Sequence, residues 1–171
     1  MITRNKNEKK IFRVLSIDPG YERLGIAVLE KKQKEKEILL YSECFKTSSK
    51  LPFEERLLLI GTEVKKLFKE FKPDVCALEK LFFNTNQKTA MMVAQVRGAI
   101  IYEAKLNNIK VFEYGPSEIK IAITGYGKSS KYQITNMVKK LIKIDKKILY
   151  DDEFDAIAVG LTCFASEKKL R

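Results

Sequence analysis

Apolar and polar positions along this chain change their period several times, and each change marks an element. Phe12 to Asp18 is a compact β-rich run stopped by Pro19-Gly20, and Leu24 to Glu30 is a second apolar run rich in strand formers. DPGYER between them reads as a turn. The charged run KKQKEKE, residues 31–37, reads as a solvated hairpin loop, and a third strand follows from about Ile38 to Phe45. Strands joined by such short connections predict an antiparallel meander.

From Pro52 to Phe71 the period lengthens: Leu57, Ile60, Val64, Leu67 and Phe71 fall three or four apart, the stripe of an amphipathic helix, and Lys72-Pro73 ends it. Asp74 to Leu78 reads as a short strand, Gln87 to Leu106 as a long helix with Gly98 its only interior breaker, and Ile109 to Glu113 as a fifth strand. Pro116 opens a short helical stretch to about Ile123, Gly125-Tyr126-Gly127 makes a hinge, and Lys131 to Leu141 is helical again. Phe154, Ile157, Ala158 and Leu161 predict a last helix from Asp152. Strand and helix alternate after the meander, so the later strands are joined by right-handed crossovers and run parallel in an α/β fold. With 171 residues, no internal repeat and no linker, a single domain over residues 11–171 is expected. Residues 1–10, with four Lys/Arg and two Asn, are expected to form a disordered basic arm.

Charge narrows the partners. Lys and Arg number 33 against 22 Asp and Glu, a net charge of +11 that suits a polyanionic partner such as nucleic acid or an acidic membrane surface. Histidine is absent, which excludes Ser-His-Asp and Cys-His triads and His-ligated zinc. The cysteines Cys44, Cys76 and Cys163 lie far apart in apolar runs without a CxxC pair, so they read as core residues of a protein in a reducing compartment. The apolar stretch after the basic start is short and interrupted by Arg13, unlike a secretory h-region, and no window reaches the length of a membrane span; a cytoplasmic protein is expected.

Without histidine, phosphoryl or hydrolytic chemistry rests on carboxylates, metals, Lys or hydroxyls, and few acids stand in apolar surroundings. Asp18 ends one buried-looking strand, Glu79 follows another, and Asp152 and Asp155 lie three apart at the start of the last helix, on one helical face. Each has a bland alternative: Asp18 could cap the turn before Pro19-Gly20, Glu79 could be a solvated strand end, and Asp152 could be the helix N-cap with Asp151 and Glu153 as favourable neighbours. Capping does not explain Asp155. Together these acids would bring four carboxylates to one rim of the sheet, where they repel unless cations sit among them. Oxygen-only ligands favour Mg²⁺ or Mn²⁺, and two such ions about 3.5–4 Å apart can clamp a scissile phosphate.

Five segments carry a resemblance: SIDPGYERLGIAVLE, ALEKLFFNTN, AQVRGAI, GYGKSSKYQITNMV and DDEFDAIAVGLTC, which in this order and spacing, over about residues 12–165, resemble the RuvC Holliday-junction resolvases. The resemblance implies a ribonuclease-H-like fold, a mixed five-stranded sheet flanked by helices. It also implies a crossover junction endodeoxyribonuclease that makes symmetric paired nicks in DNA four-way junctions during recombination and repair, leaving 5′-phosphate and 3′-hydroxyl ends. By resemblance the metal-binding acids are Asp18, Glu79, Asp152 and Asp155, holding two Mg²⁺ or Mn²⁺ ions; the spacing D-x-x-D-A leaves Asp151 as an extra acid. The aromatic wedge at the junction centre falls on Phe82, with Phe83 beside it, and the catalytic-site lysines on Lys120 and Lys131. Lys128 and Arg97 are read as further DNA contacts.

The resemblance implies a homodimer through the helix Gln87 to Leu106, which carries Met91, Met92, Val93, Val96, Ile100 and Ile101, though burial in the monomer core would use the same residues. It also implies a preference for a short T-rich cleavage sequence and cooperation with the branch-migration proteins RuvA and RuvB. The chain departs from the pattern in its first ten residues, which are extra, and at Ser129, where the loop motif often has Ala. Two rival readings remain. SIDPGYERLGIAV also resembles the first phosphate loop of actin-like ATPases and sugar kinases, although those pair two domains and 171 residues supply one; the other rival is a noncatalytic junction-binding module, against which the intact acids speak.

Overall fold

The computed structural model describes residues 11–81 and 87–167. Strands β1 (Ile11–Asp18), β2 (Arg23–Lys32) and β3 (Ile38–Lys46) form the expected meander; β4 (Val75–Glu79) and β5 (Lys110–Tyr114) follow, each parallel to its neighbour. The sheet order is β3-β2-β1-β4-β5. Helices α1 (Phe53–Phe71) and α2 (Gln87–Leu106) join β3 to β4 and β4 to β5, and α3 (Pro116–Thr124), α4 (Lys131–Leu141) and α5 (Asp151–Ser166) close the chain. No helix among the described residues is long and apolar enough to cross a membrane. The proposed arm, residues 1–10, lies outside the described residues.

Two cores follow from the period of two along each strand. Leu15 and Ile17 of β1, Ile26 and Val28 of β2, and Cys76 and Leu78 of β4 point to one face, covered by Ile60, Val64, Leu67 and Phe68 of α1 and Val96, Ile100 and Ala104 of α2. Val14, Ala27, Leu29, Val75 and Ala77 point to the other, covered by α5 with Ile119, Ile123, Ile134 and Val138 of α3 and α4 behind it. Helix α5 is buried without a break from Ala156 to Phe164, because it lies between the sheet and the α3–α4 pair. Its small residues let it press close: a Cβ on Gly160 would stand 2.6 Å from Leu29 Cδ1 and 2.7 Å from Ser16 Oγ.

Two boundaries differ from the sequence expectation for a visible reason. Strand β2 runs on through Lys31 and Lys32 into the charged segment, because the Lys31 ammonium pairs with Glu37 at 2.6 Å and the turn shrinks to the residues after Lys32. Helix α5 starts at Asp151 with Tyr150 as its N-cap, so Asp152 sits inside the first turn and is not the capping residue. In α2, Val96 and Ile100 enter the core, while Met91 is 62% exposed and Tyr102 64% exposed.

Candidate active site

The same alternation that sorts the core decides where the acids go. Counting on by twos from Val14 reaches Asp18, and from Val75 reaches Glu79, so both acids leave the sheet on the α5 face at the ends of two adjacent parallel strands. Helix α5 begins at that rim and brings Asp152 and Asp155 to it. The Asp18 and Glu79 carboxyls stand side by side. Burial, then the charges of Glu79 and Asp155, hold Asp18 well above the usual carboxylate range. Burial likewise pushes Glu79 up, although the neighbouring Asp18 carboxyl and the cations Lys131 and Arg97 pull the other way. Asp155 is raised by burial as well, with Lys131 as a partial offset.

Two cations bracket this cluster. Lys131, first residue of α4, sets its ammonium 2.8 Å from Asp155 and 2.6 Å from Asp151. Burial opposes that charge, but the two carboxylates outweigh it and lift Lys131 above the ordinary lysine value. Asp151, bonded to Lys131, is held low. On the far side Arg23 Nε lies 3.4 Å from Asp152 Oδ2, and the Cys44 thiol donates to the same oxygen at 3.8 Å. Burial and then the Asp152 charge push the Cys44 thiol up to about 11. Glu79, Lys131 and Asp155 also line a cleft of about 250 Å³, with Lys120, Pro116, Ile119, Ile134 and Ala158 as its other walls.

The donor set is made of carboxylate oxygens, crowded, desolvated and partly neutralised by protein cations, which is the chemistry of a site for a hard divalent ion. As the side chains stand, no three Asp, Glu, Cys or His among the described residues form a ready cage. Asp155 is turned to Lys131, Asp152 to Arg23, and Asp18 and Glu79 to each other.

Several residues that the sequence reading passed over hold this rim in place. A Cβ on Gly25, which pairs with Asp18, would stand 2.1 Å from the Asp152 carbonyl oxygen and 3.2 Å from Asp18 Cβ; only glycine lets α5 seat here. An isolated glycine inside an apolar strand is the sequence mark of such an approach. Arg56 of α1 is 7% exposed, donates to Thr47 Oγ1 at 2.9 Å and to the Tyr21 carbonyl at 3.1 Å, and lies over the Tyr21 ring. It thereby ties the loop after Asp18 to the end of β3, and nothing in its sequence neighbourhood marks it. Glu153, 6% exposed, accepts from Ser42 Oγ at 2.9 Å and pairs with Lys146 at 2.6 Å, anchoring the start of α5 to β3.

The remaining expected residues divide. Lys120 lines the cleft, and Lys128 stands exposed in the turn before α4. The Arg97 guanidinium donates to the Glu79 carbonyl and the Glu113 carboxylate, and its side chain is 12% exposed. The strand order sets this up, since β4 and β5 end side by side beneath α2 and offer it two acceptors. Phe82 and Phe83 lie outside the described residues. Ser129, the departure in the loop motif, is 3% exposed and donates to the Tyr126 carbonyl at 2.8 Å, while Ser130 caps α4 through the Gln133 amide.

A mixed sheet in the order 3-2-1-4-5 with acids at the rim of its first and fourth strands and on its last helix defines a ribonuclease-H-like domain with an acidic centre. The family described as crossover junction endodeoxyribonuclease RuvC matches residues 14–163. The Finegoldia magna crossover junction endodeoxyribonuclease RuvC is 42% identical over 149 residues, 87% of this chain and 90% of that one. The Thermotoga maritima protein of the same name is 38% identical over 159 residues, 93% of this chain and 94% of that one. Among solved structures, Thermus thermophilus RuvC in complex with a Holliday junction substrate superposes with a TM-score of 0.82 at 32% identity, over 88% of this chain and 92% of that one. The yeast mitochondrial Holliday junction resolvase, at 16% identity and a TM-score of 0.69 over 90% of this chain and 78% of that one, shares the fold. The chain belongs to the RuvC family of crossover junction endodeoxyribonucleases.

Proposed function

We propose that this protein is a Holliday-junction resolvase, a metal-dependent endonuclease that makes symmetric paired nicks in DNA four-way junctions during recombination and repair. The observation that carries this reading is the meeting of Asp18, Glu79 and Asp155 at one rim of the sheet, with Lys131 between the acids and an open cleft. Asp18, Glu79, Asp152 and Asp155 are the residues that would hold two divalent ions, Mg²⁺ or Mn²⁺, which when bound supply an activated water and a counter-charge for the leaving oxygen. Lys131 steadies the negative charge that builds on the scissile phosphate, since it lines the cleft with its ammonium beside Asp155, and Lys120 offers a second cation from the same lining. Lys128 adds backbone contact, so recognition is mostly by charge and shape and falls with salt. Phe82 serves as the wedge that stacks on unpaired bases.

Paired cutting of a twofold substrate calls for two copies, and the exposed Met91 and Tyr102 on α2 support a homodimer through that helix. Residues 11–171 act as one nuclease domain with a basic arm ahead of it, in the cytoplasm, alongside RuvA and RuvB. The test is nicking of a labelled synthetic four-way junction beside linear duplex, with Mg²⁺, Mn²⁺ or EDTA, for wild type and Asp18→Asn. Metal-dependent paired nicks on the junction alone, lost in Asp18→Asn while binding survives, are the expected result. Binding without cutting under either metal would make the chain a binding module.

A further inference from the structure

Beside Arg23, on the flank of the acidic rim away from Lys131, stands a second cation, Lys46. Arg23 opens β2 and Lys46 closes β3, and the two are direct cross-strand partners. Ser42, Cys44 and Lys46 alternate onto the α5 face, as Arg23 does two residues before Gly25, so both cations project beside Asp152. Like charges directly opposite each other on antiparallel strands are unfavourable, so this pairing needs a compensating anion or ring. Arg23 has half of one: its Nε faces Asp152 at 3.4 Å while the side chain remains 50% exposed. The Lys46 ammonium lies 3.4 Å from the centroid of the Tyr150 ring, a cation–π seat at the N-cap of α5. Neither the Arg23 Nη groups nor the Lys46 ammonium makes a hydrogen bond to any described residue.

The outcome is a preset pair of donors on the flank of the acids opposite Lys131. A strand laid across the acids presents its next phosphate on one side or the other of the scissile one, and Lys131 and Lys120 occupy only one of these sides. We propose that Arg23 and Lys46, the latter seated on Tyr150, grip one backbone phosphate of the cleaved strand, adjacent to the scissile phosphate and on the side away from Lys131. The inference rests on the nuclease reading of the acidic rim and adds a direction to it: the strand crosses the sheet edge from the Lys131 side to the β2–β3 side. Such a grip reads no sequence, because phosphate contacts fix register and orientation alone.

The experiment measures binding of a fluorescein-labelled four-way junction in EDTA, where no strand is cut, from 50 to 200 mM salt, for wild type, Arg23→Gln/Lys46→Gln and Arg23→Lys/Lys46→Arg. The glutamine pair is expected to weaken binding roughly sixtyfold at 0.1 M salt and to make the salt slope shallower by about 1.8, the release of one phosphate contact in each of two protomers. The charge-keeping pair is expected to retain the wild-type slope. A scan with single methylphosphonates on either side of the cleavage point is expected to find one linkage whose neutralisation weakens wild type but leaves the glutamine pair unchanged. If wild type binds the junction and the glutamine pair shows the same slope and the same methylphosphonate profile, the phosphate grip is refuted while the nuclease reading stands. If wild type itself does not prefer the junction to duplex, both fall.

Discussion

Replacing Gly25 by alanine adds one methyl group at the most crowded point of the acidic rim. The new Cβ would start 2.1 Å from the Asp152 carbonyl oxygen and 2.7 Å from its carbonyl carbon. An ordinary carbon–oxygen contact lies at about 3.3–3.6 Å, so the first turn of α5 must retreat by roughly 1 Å or more. Retreat is resisted, because α5 is buried from Ala156 to Phe164 and Glu153 is tied to Ser42 and Lys146. Overpacking of this kind costs about 1–3 kcal/mol, which for a chain of this size lowers Tm by about 2–12 °C. The displaced turn carries Asp152 and Asp155, and a misplacement of about 1 Å in a reacting constellation reduces rate by about a hundredfold. The assay pairs thermal unfolding by circular dichroism with single-turnover junction nicking at least 20 °C below the measured Tm of each variant. Gly25→Ser should behave alike. Wild-type Tm with wild-type nicking in Gly25→Ala would refute the seating of α5 on this glycine.

Lys131→Gln removes the ammonium between Asp151 and Asp155; single-turnover nicking is expected to fall by about 10²–10³, with junction affinity in EDTA changed far less, and equal losses in both would contradict a charge-stabilising role. Arg56→Met deletes two buried bonds from a charged donor, to Thr47 and to the Tyr21 carbonyl, and is expected to destabilise the protein by about 2–4 kcal/mol in urea unfolding, while Arg56→Lys recovers part of the loss. The Cys44 thiol, pushed up to about 11 by burial and by Asp152, is nearly all protonated at pH 8. Its reaction with an aromatic disulfide in the folded protein should therefore keep rising about tenfold per pH unit through pH 10, whereas the unfolded chain levels off near 9. A plateau near pH 9 in the folded protein would show that this environment is not felt.

The parts of this molecule that the sequence makes legible are those written in local periodicity. Strand and helix positions came from spacing, and with them the strand-end places of Asp18 and Glu79. The charged run after Glu30 misleads because its decisive partner is local but its context is not: Lys31 is held by Glu37 across the turn and lies over Phe164 of α5, so the strand continues through residues that look solvated. Arg97 shows the same limit. Its two acceptors, the Glu79 carbonyl and the Glu113 carboxylate, come together only through the parallel pairing of β4 with β5. Arg56, 35 residues from Tyr21, and Arg23, 129 residues from Asp152, depend on tertiary closure that no window of the sequence contains.

The antiparallel pairing of β1 and β2 separates the ends of the sheet by function. Asp18 pairs with Gly25 at one end and Ile11 with Lys32 at the other. Seven strand steps at about 3.3 Å each put Ile11 roughly 23 Å from Asp18, and the β2–β3 hairpin turn shares that remote end. The acids thus lie at one end of the sheet and the β2–β3 hairpin at the other. A dye, a biotin or a surface tether placed at the exposed residues 33–36 stands clear of every acid at the rim, which makes this hairpin the natural handle for immobilising the protein with its chemistry facing outward.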